Sequence, residues 1–370
     1  MKTKVRQSNI ELLRIIAMFC IMCCHFKAHG LRFEESDYSF MNAFLSAFGN
    51  WTGNISVYIF MLISGWFLSS ADFSWRKFFN IYIPYFFYSA IFGLYLYIFK
   101  CDIYPQGDPK IMDFNHLIAC FLPFLTNQNW YAGAYLVFFL FVPYLNKLLE
   151  HTEKESLFKL CLIFIVLGGI CQSLPVQKSF NPDYLFYFVS FYFIANYIKR
   201  YRPSIFQSNI KNGCISVGCI LLMTLGSLLI YFLSKKIRFI DNHFEFFFRM
   251  PTCNFIKIIS SIFIFCFFCN LNIPYIKLIN ILGGCTYGVY LLHNNRTFKH
   301  YMWFNIFKSQ EHINDKFLPI YICCCVIILF CNCVFIELVR QRLFKSIELI
   351  FRNLVNMKYI KYKKENTADN

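Results

Sequence analysis

Glu11, Arg14 and His25 stand in the first apolar stretch of the chain, with His29 one turn beyond His25. Eleven residues at about 100° each return to within ~20° of the starting direction, so on a helix Arg14 and His25 share a face, ~16 Å apart along the axis. Glu11 precedes Arg14 by three residues, the spacing of an intrahelical ion pair. Ionisable groups inside a membrane span are costly and normally face a bundle interior, so a polar stripe of this kind reads as functional. Its chemistry would be the passage of a proton or a substrate along the helix. The plainer reading makes Glu11–Arg14 an interfacial pair whose side chains reach back to the headgroups. For Arg14 alone the two readings weigh the same; His25, deeper on the same face, favours function.

That argument needs a helix in lipid, and the composition supplies one. Of 370 residues, 58% are hydrophobic and 15% charged, with a mean hydropathy of +0.47. A soluble domain carries about 25% charged residues. Apolar runs alternate with short polar stretches along nearly the whole chain, so lipid must be the solvent. An aromatic content of 21%, with 48 Phe, fits lipid-facing helices with Tyr and Trp near their ends. Windows of roughly 17–25 residues place spans near 9–28, 42–69, 78–99, 129–149, 157–174, 183–199, 213–233, 253–270, 275–293 and 317–338. The expected fold is an all-α polytopic transmembrane bundle of about ten spans. It forms a single membrane-embedded domain over 1–370, with its core at 8–345 and a basic tail at 346–370 whose last residues, 365–370, fray. The semi-apolar segment 114–125 reads as re-entrant or interfacial. Glu11 and Arg14 argue that the first apolar run is retained as a span, since no small-residue cleavage site follows it. No internal repeat is visible.

A net charge of +16 would suggest nucleic acid in a soluble protein. Here the basic residues flank helices, so no nucleic-acid partner is expected and the lipid bilayer is the surrounding phase. Lys and Arg number 21 on the side of the termini and 14 on the other, counting span-end residues with the adjacent loop. The positive-inside rule then puts both termini in the cytoplasm and the protein in the cytoplasmic membrane. The 18 cysteines include CxxC spacings at Cys20/Cys23 and Cys266/Cys269. Both pairs lie in spans without a matching histidine set, so cysteine reads as a small apolar residue and no metal site is expected.

Six blocks in order give the chain a resemblance. "ELLRIIAMF" followed by His25, "ISVYIFMLISGWFL" (55–68) with its Ser64-Gly65 step, "WRKFFNIYIPYFFY" (75–88) with Pro84, "NWYAGAYLVFFLFVPYL" (129–145), "TYGVYLLH" (286–293) and "FIELVRQRLF" (335–344) together resemble the acyltransferase-3 family of integral-membrane O-acyltransferases. The resemblance covers residues 8–345. It implies transfer of an acyl group, usually acetyl from cytoplasmic acetyl-CoA, to a hydroxyl of a glycan or lipid-linked sugar, with acyl-CoA as donor substrate and no permanently bound cofactor. It implies polysaccharide-assembly proteins as partners. By the same resemblance His25 would be the catalytic base or acyl relay, and Arg14, supported by Glu11, a donor-orienting or charge-stabilising residue. Such chemistry is coherent: a sugar hydroxyl needs a base titrating near neutrality, and oxyanions and phosphates need fixed cations.

Arg76 and Lys77 sit where the family often shows Arg-x-x-Arg, but Phe79 and Asn80 stand where a second arginine is expected. The pair reads equally as a CoA-phosphate contact or a topology anchor. Trp130 and Tyr131 open a helix at the expected outer face, as interfacial aromatics or, for Trp130, as a sugar-stacking platform. His293 closes the ninth span; a helix-end histidine facing water is the first reading and an acceptor-side contact the second. Glu337 and Arg340 are spaced as an intrahelical pair. The competing function is a transporter or flippase of a glycan or lipid-linked sugar, with the Glu11–Arg14–His25 stripe as its path. The absence of a visible duplication weighs against it. A purely structural membrane partner ranks third and makes His25 dispensable.

Overall fold

The computed structural model describes residues 6–31, 39–69, 72–101, 111–174, 182–242 and 254–368. Its main helices are α1 (Ser8–His25), α2 (Phe40–Leu68), α3 (Trp75–Ile98), α4 (Phe114–Phe121), α5 (Trp130–Glu150), α6 (Lys154–Ser173), α7 (Tyr184–Tyr201), α8 (Asn209–Ser234), α9 (Asn254–Asn270), α10 (Lys277–His293) and α11 (Leu318–Ala368). No strand occurs among the described residues. Side-chain caps start several helices: the Asn42 amide donates to Ser39 Oγ (3.2 Å) at α2, and the His116 amide to Asp113 Oδ1 (2.8 Å) at α4.

Each of the ten expected stretches falls on a helix, but among the described residues seven helices are long and apolar enough to cross a membrane. The other three are α7, α9 and α10. At 17 residues each, α9 and α10 rise only ~25 Å against the ~30 Å of a hydrocarbon core, and α7 ends in Lys199 and Arg200. All three are packed inside the bundle, where length need not match lipid. Segment 114–125 holds the eight-residue α4, too short to cross. α11 continues through the expected tail to Ala368 because after Pro319, in the first turn, it has neither glycine nor proline to stop it. Residues 369–370 of that tail lie outside the described residues.

α1 is the central helix. It packs against α2, α9, α10 and α11 and feeds two apolar cores, one through Ile10, Leu13 and Ala17, the other through Ile15, Met18, Met22 and Phe26. α8 lies at the periphery with Leu221, Leu222, Leu225 and Leu229 exposed on one face, an apolar surface suited to lipid. Small residues let helices approach: Gly65 of α2 sits against the backbone of Tyr192 in α7. Two glycines of α10 admit charge instead. A Cβ at Gly283 would strike Glu11, and one at Gly288 would strike Glu337. Glu337 is 3% exposed and fully engaged: Arg340 donates to it at 2.6 and 2.8 Å, Tyr88 at 2.6 Å and Gln341 at 2.7 Å. The pair read from spacing is thus the centre of a buried knot between α3, α10 and α11.

Candidate active site

The polar face of α1 borders a cavity of about 310 Å³ that reaches from Arg6 and Arg14 at one end to His25 and Trp130 at the other. At the near end Glu11 is 4% exposed. Its Oε2 lies 3.2 Å from Arg6 Nη1 and 3.9 Å from Arg14 Nε. The expected Glu11–Arg14 pair therefore forms, but Arg6 is the nearer partner. Glu11 Oε2 and Arg14 Nε are both buried without a hydrogen bond. The Arg14 guanidinium also stands 5.9 Å above the ring of Phe67.

At the far end His25 Nδ1 is 2.9 Å from His293 Nε2, and His293 Nδ1 is 2.6 Å from the carbonyl oxygen of Val289. A carbonyl can only accept, so His293 carries its proton on Nδ1. With both rings neutral, His293 Nε2 must then accept, and His25 Nδ1 donates to it. The remaining lone pair of His25 is on Nε2. One peptide carbonyl thereby fixes the tautomer of two histidines in series.

His293 is fully buried, not facing water as its helix-end position suggests. The connection after α10 folds back over it: Asn294 and Asn295 are buried, and the Arg296 amide donates to the Gln128 carbonyl (3.0 Å). α1 ends in a π-helical turn, Phe26–Gly30, a distortion that often marks functional sites. It keeps His29 beside His25, with ring centroids 5.3 Å apart. Lys299 Nζ lies 3.4 Å from His29 Nε2. Burial, with Arg296 nearby, lowers Lys299 to about 8.

Trp130, the first residue of α5, stacks on Tyr184 at 3.9 Å between centroids. It lines both the central cavity and a second one of about 550 Å³ bordered by Asn54, Tyr58 and Asp183. Tyr131 also lines the central cavity, its amide donating to the Tyr290 hydroxyl (3.3 Å). His25, His293, Trp130 and Tyr131 are thus brought to one end, and Glu11 and Arg14 to the other. Arg76 and Lys77 border neither cavity: Arg76 pairs with Glu348 at 2.7 Å on the exposed surface, and Lys77 donates to the Asp72 carbonyl (3.0 Å).

Arg6 and Tyr290 join the site without having been singled out from the sequence. Tyr290 stands three residues before His293 on the same helix, a spacing that could have found it; Arg6 carries no local signal beyond its charge. Among the described residues no group of His, Cys, Asp or Glu side chains is arranged to hold a metal ion. A family model described as an acyltransferase domain matches residues 7–337. No curated protein and no solved structure matches the chain.

Proposed function

Because the chain belongs to the acyltransferase-3 family, and so is a membrane acyltransferase, we propose that it moves an acetyl group from acetyl-CoA to a hydroxyl of a cell-surface polysaccharide or its lipid-linked precursor. It works as a multi-pass protein of the cytoplasmic membrane with both termini in the cytoplasm, a reading supported by the excess of Lys and Arg on the terminal side when all ten apolar stretches are counted as crossings. The observation that carries the reading is the His25–His293 pair, of which His25 borders a cavity that extends back to Arg14. An acyl group on the long arm of coenzyme A can enter such a cavity while the charged nucleotide stays outside.

At His25 the free Nε2 lone pair takes the proton of the acceptor hydroxyl as its oxygen attacks the thioester carbonyl. The carbon–sulfur bond breaks, and the departing thiolate recovers that proton from His25. His293 holds the base in one tautomer, the part an aspartate plays in a serine-protease triad. Arg14 is ~16 Å from His25 along the helix, too far to meet an oxyanion there, so its cation serves the donor. The acceptor approaches past Trp130 from the second cavity, whose mix of aromatic rings with Asn54 and Asp183 suits the alternating apolar and hydroxyl faces of a sugar.

The test is expression of wild type and His25→Ala in a glycan-producing host, with ester-linked acyl groups on the glycan measured. Acylation should vanish in the variant; equal acylation would sink the role given to His25. Loss of glycan export with acylation intact on the residual material would favour transport instead.

A further inference from the structure

Arg6 borders a third cavity as well, of about 490 Å³, lined also by Trp66, Arg202 and Tyr275. It lies outside the first turn of α1 and opens next to the near end of the central cavity, since Arg6 belongs to both walls. Two arginines line it and no carboxylate does, among the described residues. Arg6 pairs with Glu11, whose Oε2 also lies 3.9 Å from Arg14 Nε. The amides of Ser8 and Asn9, in the first turn of α1 at its rim, add the positive end of a long helix. Arg202 is exposed at the C-terminal cap of α7, and Tyr275 is 61% exposed, so both can meet a ligand arriving from water. Lys199 and Arg200, beside Arg202, are already spent on the carbonyls of Trp66 (2.6 Å) and Leu149 (2.7 Å).

We propose that this cavity holds the 3′-phosphoadenosine end of coenzyme A, with Arg202 on the 3′-phosphate, Tyr275 against the adenine and Arg6 on the diphosphate. The assignment rests on the donor proposed above and gives it an address. Arginine forks bind phosphate oxygens in pairs, and an exposed tyrosine ring offers a stacking face to a base. The diphosphate then reaches Arg14, and the pantetheine arm covers the remaining ~16 Å along α1 to His25. Arg76 and Lys77 border none of the three cavities, and this assignment gives the donor's phosphates to Arg6 and Arg202 instead. An anionic phospholipid headgroup would offer phosphate to the same arginines, but no base to Tyr275.

The test uses the full chain in nanodiscs and the affinities of CoA, 3′-dephospho-CoA and pantetheine. Wild type should bind CoA about tenfold more tightly than 3′-dephospho-CoA, the value of one charge-assisted phosphate contact. Arg202→Gln should lose that preference and bind both like dephospho-CoA. Tyr275→Ala should weaken both nucleotides and leave pantetheine unchanged. An Arg202→Gln protein that keeps the wild-type preference would overturn the assignment. So would a variant altered only in its response to phosphatidylglycerol in the disc, since that outcome makes the cavity a lipid site. The two proposals fail separately: normal CoA discrimination by Arg202→Gln removes this one and leaves the acyl transfer, whereas full acylation by His25→Ala removes the catalytic role and leaves the nucleotide site.

Discussion

His25 and His293 are 268 residues apart in the chain and share one hydrogen bond, 2.9 Å from Nδ1 to Nε2. Its direction follows from the Val289 carbonyl behind His293, so His293 matters through the acceptor atom it presents. A glutamine amide oxygen can supply that acceptor and a leucine cannot. His293→Leu should lower kcat for acyl transfer by about 10²-fold or more, in the range of losing a positioned base, with KM for the acyl donor unchanged. His293→Gln should recover a large part of kcat. Steady-state kinetics on both variants decide it: equal loss in the two would mean that His293 only fills space.

Trp130 divides the His25 cavity from the one bordered by Asn54 and Asp183. Trp130→Phe keeps a ring to stack on Tyr184, while Trp130→Ala removes the wall. The alanine variant should raise KM for the glycan acceptor about tenfold, the scale of one aromatic stacking contact, and leave KM for acetyl-CoA unchanged; the phenylalanine variant should lie near wild type. A donor KM that moves with the acceptor KM would place Trp130 on the other substrate.

Glycines of the bundle differ in what a methyl group would meet. At Gly288 it would press into Glu337, whereas at Gly218 nothing lies within 4 Å. Gly288→Ala should destabilise the protein by roughly 1–3 kcal/mol through overpacking. Gly218→Ala should be neutral or stabilising by up to ~1 kcal/mol, through helix propensity. Thermal unfolding in detergent compares the two directly, and similar melting points would contradict the packing seen around Glu337.

Lys299 titrates at about 8, against an ordinary 10.5. Below pH 8 the lysine is charged in the folded and the unfolded chain alike, and the folded state bears the cost of burying it. Between about 8 and 10.5 the folded chain has released the proton and the unfolded chain has kept it, so stability rises with pH through that window. Lys299→Met should therefore melt a few degrees above wild type at pH 7, and the gap should close as the pH approaches 10. A gap constant from pH 7 to 10 would show that the charge is not the source of the cost.

What could be read from the chain was what repeats with the period of a helix. Arg14 and His25 fall on one face by arithmetic alone, and the apolar windows find the helices because lipid imposes both length and composition. The period says nothing of which helix meets which. His293 closes an apolar stretch and so looks like a helix end in water; only the fold of residues 294–317 over it, and the arrival of α1, reveal its partner. Arg6 is one of several basic residues near a terminus until the bundle sets it beside Glu11. The shortness of α9 and α10 and the polar end of α7 escaped for a related reason: a helix sheltered by protein need not match the bilayer in length or composition, and its sequence does not tell who shelters it.

Gly283 and Gly288 are five residues apart, ~140° around the axis of α10, so the carboxylates they admit, Glu11 from α1 and Glu337 from α11, lodge on well-separated sides. α10 is keyed into its neighbours like a shaft with two pins. Turning or sliding it against α1 and α11 would draw two charged groups out of their seats at once, so α10 is seated as a fixed support relative to those two helices. With His293 at the tip of so locked a rod, the acyl transfer proposed for this site would ask for movement of the donor's flexible arm and not of the helix that holds the histidine.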